Sequence, residues 1–274
     1  KKKKTLPPPQ QQQQQQNPKP RAAKNPKDWA PPPVADTKRT FYTLYRKPLP
    51  AIYNVVLQEL LVQAHLVRNN VDYAYDAVYA LGLTSTLEAV LEGLEGSAGD
   101  KEAVFDAFVK SLGEDPARYR SDAAEMAKFA KEAAGSALAP AADGSFGQQA
   151  LAAVAARAAA GELYYSRFLA VGVFRLLELS GAKDPKALEQ LASAMGVPQA
   201  AVARDLGTYK AVLSKLAAAK ELMRELLERE RKKQAERAAE KAAKASGAVA
   251  SASASSGGEG ESVGATARAG EVMP

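Results

Sequence analysis

The sequence predicts an all-α protein: a multi-helix bundle, then a long coiled-coil-like helix, between disordered termini. Three observations carry this. Alanine supplies much of the 46% hydrophobic content while aromatics make up only 7%, and alanine loses no side-chain entropy in a helix. Acid–proline pairs and glycines recur as helix starts and stops. No segment alternates apolar and polar residues over a strand's length between turn signals.

The elements follow in order. Residues 1–35 hold a Lys/Gln/Pro-rich run that cannot bury a core and is expected to be disordered. The chain does not begin with Met and reads as processed or trimmed. One reading of the run is the remnant of an organellar targeting region, although it lacks the serine and arginine richness of such segments. Asp36-Thr37 caps a short helix through FYTLY. Pro48-Leu49-Pro50 turns the chain, with Pro50 as the first helical residue of AIYNVVLQELLVQAHLVR. Ile52, Val56, Leu60 and Ala64 share one face there, beside Tyr53, Leu57 and Leu61. So wide a stripe predicts a largely buried central helix. Asp72 caps the next helix, to Leu94. Asp100 caps KEAVFDAFVKSL, stopped by Gly113, and Asp115-Pro116 starts a helix ending at Gly135. After a linker at 135–147, an Ala-rich helix runs to Leu179 with Gly161 as a break and Gly181 as the stop. Asp184-Pro185 and Gly196 bracket another. Pro198 opens the last helix, to about Ala245. The expected organisation is a basic tail at 1–35, a bundle at 36–205, a long charged helix at 206–245 and a flexible Ser/Gly/Ala-rich tail at 246–274.

The net charge of +6 is a property of the tail, because residues 1–27 carry eight lysines and arginines and no acid. The rest of the chain has two more acids than bases, which argues against a nucleic-acid partner. There is no cysteine, so disulfides, zinc thiolates and thiol catalysis are excluded. No run reaches the ~20 apolar residues of a membrane span, though contact with a membrane surface is compatible with the sequence.

Residues 69–83, NNVDYAYDAVYALGL, concentrate aspartate and tyrosine in an apolar stretch. On a helix Asp72 and Asp76 would share a face, as would Tyr75 and Tyr79. Two carboxylates at that spacing suit a divalent metal, but they lack companion ligands. Caps and core tyrosines are the better reading. His65, the only histidine, stands among Leu61, Val62, Leu66 and Val67 and is expected to be structural. Neither a phosphate-binding glycine loop nor a nucleophile elbow is present, so no catalytic, cofactor or metal residue is assigned. On the last helix Leu206, Leu213, Lys220 and Leu227 form one heptad row, and Tyr209, Leu216, Met223 and Glu230 the other. This seam suits packing or a partner helix. RERKKQAER at 229–237 mixes signs and reads as a solvated face.

The segment DTKRTFYTLYRKPLPAIYNVVLQELLVQAHLVRNNVDYAYDAVYALGL resembles the thylakoid-formation family, also called the photosystem II biogenesis "29" family. The matching positions include Arg39, Phe41, Tyr42, Pro48, Tyr53, Glu59, His65, Asn70, Tyr75, Asp76, Tyr79 and Gly82, with Asp72 inside the segment. VFDAFVKSLGEDPARYRSDA, YYSRFLAVGVFRLLEL, DPKALEQLASAMGV and ELMRELLERERKKQAER follow in the same order, covering residues 36–237. The resemblance implies a mostly helical, non-catalytic chloroplast protein of the stroma and thylakoid surface, without cofactor. It implies a role in thylakoid biogenesis and photosystem II assembly or repair. Its expected partners are FtsH-type thylakoid membrane proteases and photosystem II assembly or repair intermediates. Leu206, Tyr209, Leu213, Leu216, Met223 and Leu227 form the candidate partner helix. The alternatives are a pigment- or lipid-binding module with His65 or Tyr75/Tyr79 facing a cavity, and, last, an enzyme with an unrecognised site.

Overall fold

The computed structural model describes residues 30–92, 94, 98–133, 138–182 and 184–255. The 1–29 part of the basic tail and residues 256–274 lie outside these. Among the described residues the chain forms nine helices and no strand: α1 (Val34–Leu44), α2 (Ala51–Arg68), α3 (Ala77–Leu91), α4 (Ala98–Ser111), α5 (Pro116–Ala133), α6 (Phe146–Ala159), α7 (Arg167–Leu179), α8 (Pro185–Ala194) and α9 (Gln199–Ser255). The compact body ends at Leu216, past the expected 205/206 division. The second unit, from Ala217, is helical through Ser255, so residues 246–255 are helix where a flexible tail was expected.

The glycine stops that fall on described residues were read correctly, while the expected stop at Gly135 lies outside them. Gly161 has φ +72°, a left-handed turn that an L side chain resists, and it divides the expected Ala-rich helix into α6 and α7. The same stop recurs at Gly113, Gly181 and Gly196. Asp115 and Asp184 accept backbone N–H groups just inside their helices, from Ala117 at 3.0 Å and Lys186 at 2.9 Å. Other starts differ from expectation. α1 begins before Asp36, with Pro33 as its N-cap, and Asp36 sits in the first turn beside Arg39. Pro50 is the N-cap of α2 and not its first residue. Asp100 lies inside the first turn of α4 and is ion-paired with Lys47.

The central helix is α3, not α2. α3 carries one charged residue, Glu88, and is buried on nearly every side. Its Leu83 and Leu87 join one core with α1, α2 and α4. Its Val78 and Leu81 join a second with α5, α6, α7 and α8. Each buried Leu or Val contributes roughly 1.5–3 kcal/mol. α2 covers one side only, leaving Val55 and Leu66 exposed. The width of its stripe reflected more apolar surface than the body covers.

α3 and α7 meet backbone to backbone. A Cβ at Gly82 would overlap the Phe168 carbonyl oxygen and lie 2.7 Å from the Gly172 nitrogen. A Cβ at Gly172 would overlap the Val78 carbonyl oxygen. Gly82→Ala and Gly172→Ala are each expected to lower stability by about 1–3 kcal/mol through overpacking, despite alanine's better helix propensity. Gly207, in α9, has open space at its Cβ, so Gly207→Ala should gain about 0.5–1 kcal/mol. Urea unfolding of the three variants checks the opposite signs.

Candidate functional site

The conspicuous stretch at 69–83 is a turn followed by a cap. Asn70 Oδ1 accepts the Asp72 N–H at 2.9 Å, which holds Asp72 in an exposed turn. The chain then runs outside any helix to Asp76, whose carboxylate accepts the Tyr79 N–H at 2.6 Å and caps α3. Asp72 therefore is not the cap, α3 ends at Leu91 and not Leu94, and Asp72 and Asp76 share no helix face. Tyr75 and Tyr79 likewise are not a pair on one helix. Local capture of the Asp72 N–H by Asn70 delays the start of the helix.

Asp76 is nearly enclosed. Arg157 of α6 donates to it at 2.7 Å and to the Ala74 carbonyl at 3.0 Å. Burial pushes the Asp76 carboxyl's pKa up, against the pull of Arg157 and of the Tyr79 and Val78 N–H groups. Around it stand four tyrosines. Tyr79 meets Tyr73, Tyr119 and Phe168 edge-on at 5.9, 6.3 and 5.7 Å between ring centres. Tyr75 donates to Asp122 at 2.6 Å, beneath the Arg118 guanidinium at 3.8 Å. Arg68, paired with Glu114, lies over Tyr73. Burial raises the pKa of all four phenols, so they stay protonated at neutral pH and serve as packing and hydrogen-bond donors. The gap left between Asp76, Arg157, Tyr79 and Ser166 is about 10 Å³, about what a single water needs. Tyr119, Asp122 and Arg157 were not singled out in the sequence. Tyr119 and Asp122 stand in the YRSDA segment of the resemblance, which was their signal. Arg157, in an Ala-rich helix, had none.

His65 is enclosed. Its Nδ1 lies 2.8 Å from Thr37 Oγ1 and 3.2 Å from Asn69 Nδ2, and its ring is also hydrogen-bonded to the Pro32 backbone. Proline offers only a carbonyl there, so the other ring nitrogen donates, while Nδ1 faces the Asn69 amide donor and accepts, which makes the imidazole neutral. The histidine thus ties the start of α1 to α2. Burial holds its pKa below the ordinary value, against the Pro32 bond. Neither His65 nor the tyrosines face an open cavity.

The other matching residues are spread out. Phe41 and Tyr53 are core, and Gly82 is at the α3–α7 crossing. Arg39, Pro48 and Glu59 are exposed. Tyr42, half-exposed, donates to Asn54 at 2.5 Å.

Open space gathers beside the first turns of α9. A cleft of about 670 Å³ lies between Glu88, Glu92, Lys101, Phe105, Phe174 and Tyr209. Burial raises the pKa of Glu88, which Arg175 and Arg120 oppose. A second cleft of about 200 Å³ is apolar and runs between α2, α3, α7 and α9. Tyr209 and Leu213 line both. Asp205 accepts from Tyr165 at 2.8 Å, Leu206 and Leu216 are buried, and Lys210 lies over the Phe174 ring at 4.6 Å. The expected seam is therefore used, through Leu216, by the body itself. The side chains of Met223 and Leu227 lie outside the described ones. Among the described residues no group of three or more His, Cys, Asp or Glu could hold a metal, and no helix is long and apolar enough to cross a membrane.

A family model described as Thylakoid formation protein matches residues 33–238. The chain is 44% identical over 203 residues to THYLAKOID FORMATION 1, chloroplastic, of Arabidopsis thaliana, covering 73% of this chain and 67% of that one. It is 44% identical to THYLAKOID FORMATION1, chloroplastic, of Oryza sativa subsp. japonica, covering 73% and 70%. Thf1 of Nostoc punctiforme is 35% identical, over 72% of this chain and 88% of its own. A solved structure of Psb29 superposes with a TM-score of 0.59 at 30% identity, covering 75% of this chain and all of that one.

Asp76→Ala removes the α3 cap and leaves Arg157 without its carboxylate, so urea unfolding should show a loss of about 3–5 kcal/mol. Asp76→Asn keeps a capping oxygen and should lose less, while Arg39→Ala, at an exposed pair, should change stability by at most about 0.5 kcal/mol.

His65 yields a pH dependence. The unfolded chain binds the imidazole proton more readily than the folded one. Its contribution to stability therefore rises with pH from the depressed folded value to about 6.5, and is complete above that. Thermal melts from pH ~7.5 down to ~5 should show the wild-type Tm falling faster than that of His65→Gln. Parallel curves would remove His65 from this account.

Proposed function

The chain belongs to the thylakoid formation protein family, and from that premise we propose that it is a chloroplast auxiliary of thylakoid formation and of photosystem II assembly or repair. It acts by binding and not by catalysis, at the stromal surface of the thylakoid. The partner it engages is an FtsH-type membrane protease, together with photosystem II intermediates. The observation that carries the docking part is the division of α9. Its turns through Leu216 are held by the body, whereas residues beyond are charged and alanine-rich, with Leu222 and Leu226 exposed. The tyrosine–aspartate cluster offers no reaction site of its own. Its polar groups satisfy one another and leave no room for a substrate.

Affinity capture from detergent-solubilised thylakoids tests this, using the full chain and a version ending at Leu216. Ending at 205 would instead remove the buried Leu206 and Leu216. FtsH-type subunits are expected with the full chain only, while both versions show the same thermal melt of the body. Capture by both versions would move the docking surface to the body. Capture by neither, with photosystem II still enriched, would make the protease link indirect.

A further inference from the structure

The apolar cleft has the features of a ligand site. Leu60, Val90, Phe168 and Leu213 are among its walls, with the exposed Val55 and Val212 also lining it. A cavity of roughly 150 Å³ with such walls takes up benzene, so about 200 Å³ admits a ring or an acyl segment. Its polar lining carries one cation, Arg167, the first residue of α7, and one anion, Glu59, whose carboxylate is engaged by Gln63. Arg167 Nη1 lies 3.4 Å from Gln63 Oε1, and its Nε 3.9 Å from Asp205. Both are long beside the ~2.7–2.9 Å of a charge-assisted hydrogen bond. Glu59 accepts from Gln63 Nε2 at 2.8 Å, which turns the amide oxygen toward Arg167. A carboxylate replacing that oxygen would give the guanidinium a second charged partner, closer than Asp205, and its hydrocarbon would follow the apolar wall.

We propose that this cleft binds one fatty-acid-type molecule, its carboxylate on Arg167 and its chain against Leu60, Val90 and Phe168. The occupant is a free monomer and not a bilayer. A volume of about 200 Å³ has room for a segment of a single chain, and one cation is far from the basic cluster that holds an anionic membrane surface. The large cleft across Tyr209 fits such a ligand less well. Its Arg175 and Arg120 already pair with carboxylates, Glu178 at 2.5 Å and Asp106 at 2.7 Å, and its remaining cation, Lys101, shares the lining with Glu88, Glu92 and Glu102, which repel an anionic head.

The test is displacement of a fluorescent polyene carboxylate from the full-length protein by saturated carboxylates of increasing length, kept below micelle concentrations. Each added methylene should tighten binding about fourfold until the cleft is full, after which affinity should stop rising. Alcohols of equal length should bind more weakly. Arg167→Gln should abolish that difference and leave the alcohols unchanged. Val212→Asp, at a half-exposed position, should weaken every ligand by about tenfold or more, with the circular dichroism spectrum unaltered. Several results would overturn the proposal: no saturable displacement, affinity that climbs without a break, uptake only of anionic phospholipid vesicles, or wild-type affinity in Val212→Asp.

Discussion

The structure depends on two helices that touch without side chains between them. At Gly82 and Gly172 the backbones of α3 and α7 approach until a single Cβ on either would overlap a carbonyl of the other. Ridge-into-groove packing ordinarily keeps helix axes ~8–10 Å apart, and glycine is what permits a closer approach. The crossing makes α3 the hub. It brings the Phe168 ring against Tyr79 at 5.7 Å, and Val171 into the walls of both clefts. The tyrosine cluster and the open space beside α9 are two consequences of one contact.

A second tie works by charge. Asp76 begins α3 and Arg157 reaches it from α6, far along the chain. Burying such a pair costs nearly what the attraction returns, so it adds little net stability. Removing either partner is another matter, because the remaining charge is left enclosed. The pair therefore acts as a specification of which helix sits beside the start of α3. Arg68 with Glu114, mostly buried and lying over Tyr73, plays the same part for the end of α2. The motif at 69–83 is dense in polar residues because it is where these ties converge.

Much of the fold was legible because it is written locally. A glycine near a helix end can turn left-handed without strain, and an aspartate before a proline can cap, with little help from the rest of the chain. Gly113, Gly161, Gly181, Gly196, Asp115 and Asp184 behave this way. What was misread depends on what lies opposite. α2 has the wider apolar stripe, but α3 is flanked by helices on nearly every side, and periodicity within one helix cannot say how many neighbours it has. Asp72 and Asp76 are both acceptable caps, and the choice turned on Asn70 and a distant Arg157. The tyrosine cluster was half visible, since Tyr75 and Tyr79 stand in one stretch while Tyr119 and Asp122 arrive from α5.

The seam on α9 raises the same question at the level of function. Heptad spacing marks residues that will be covered without naming the cover. Leu206 and Leu216 are covered by this chain's own body. Beyond them the apolar row gives way to alanine and charge, with the Glu221–Arg224 and Glu225–Arg229 pairs exposed and worth little by themselves. Under the proposed docking mode, a partner meeting residues 217–240 would find few large apolar anchors and many charges of both signs. Such a surface favours fast, salt-sensitive association over a permanent interface.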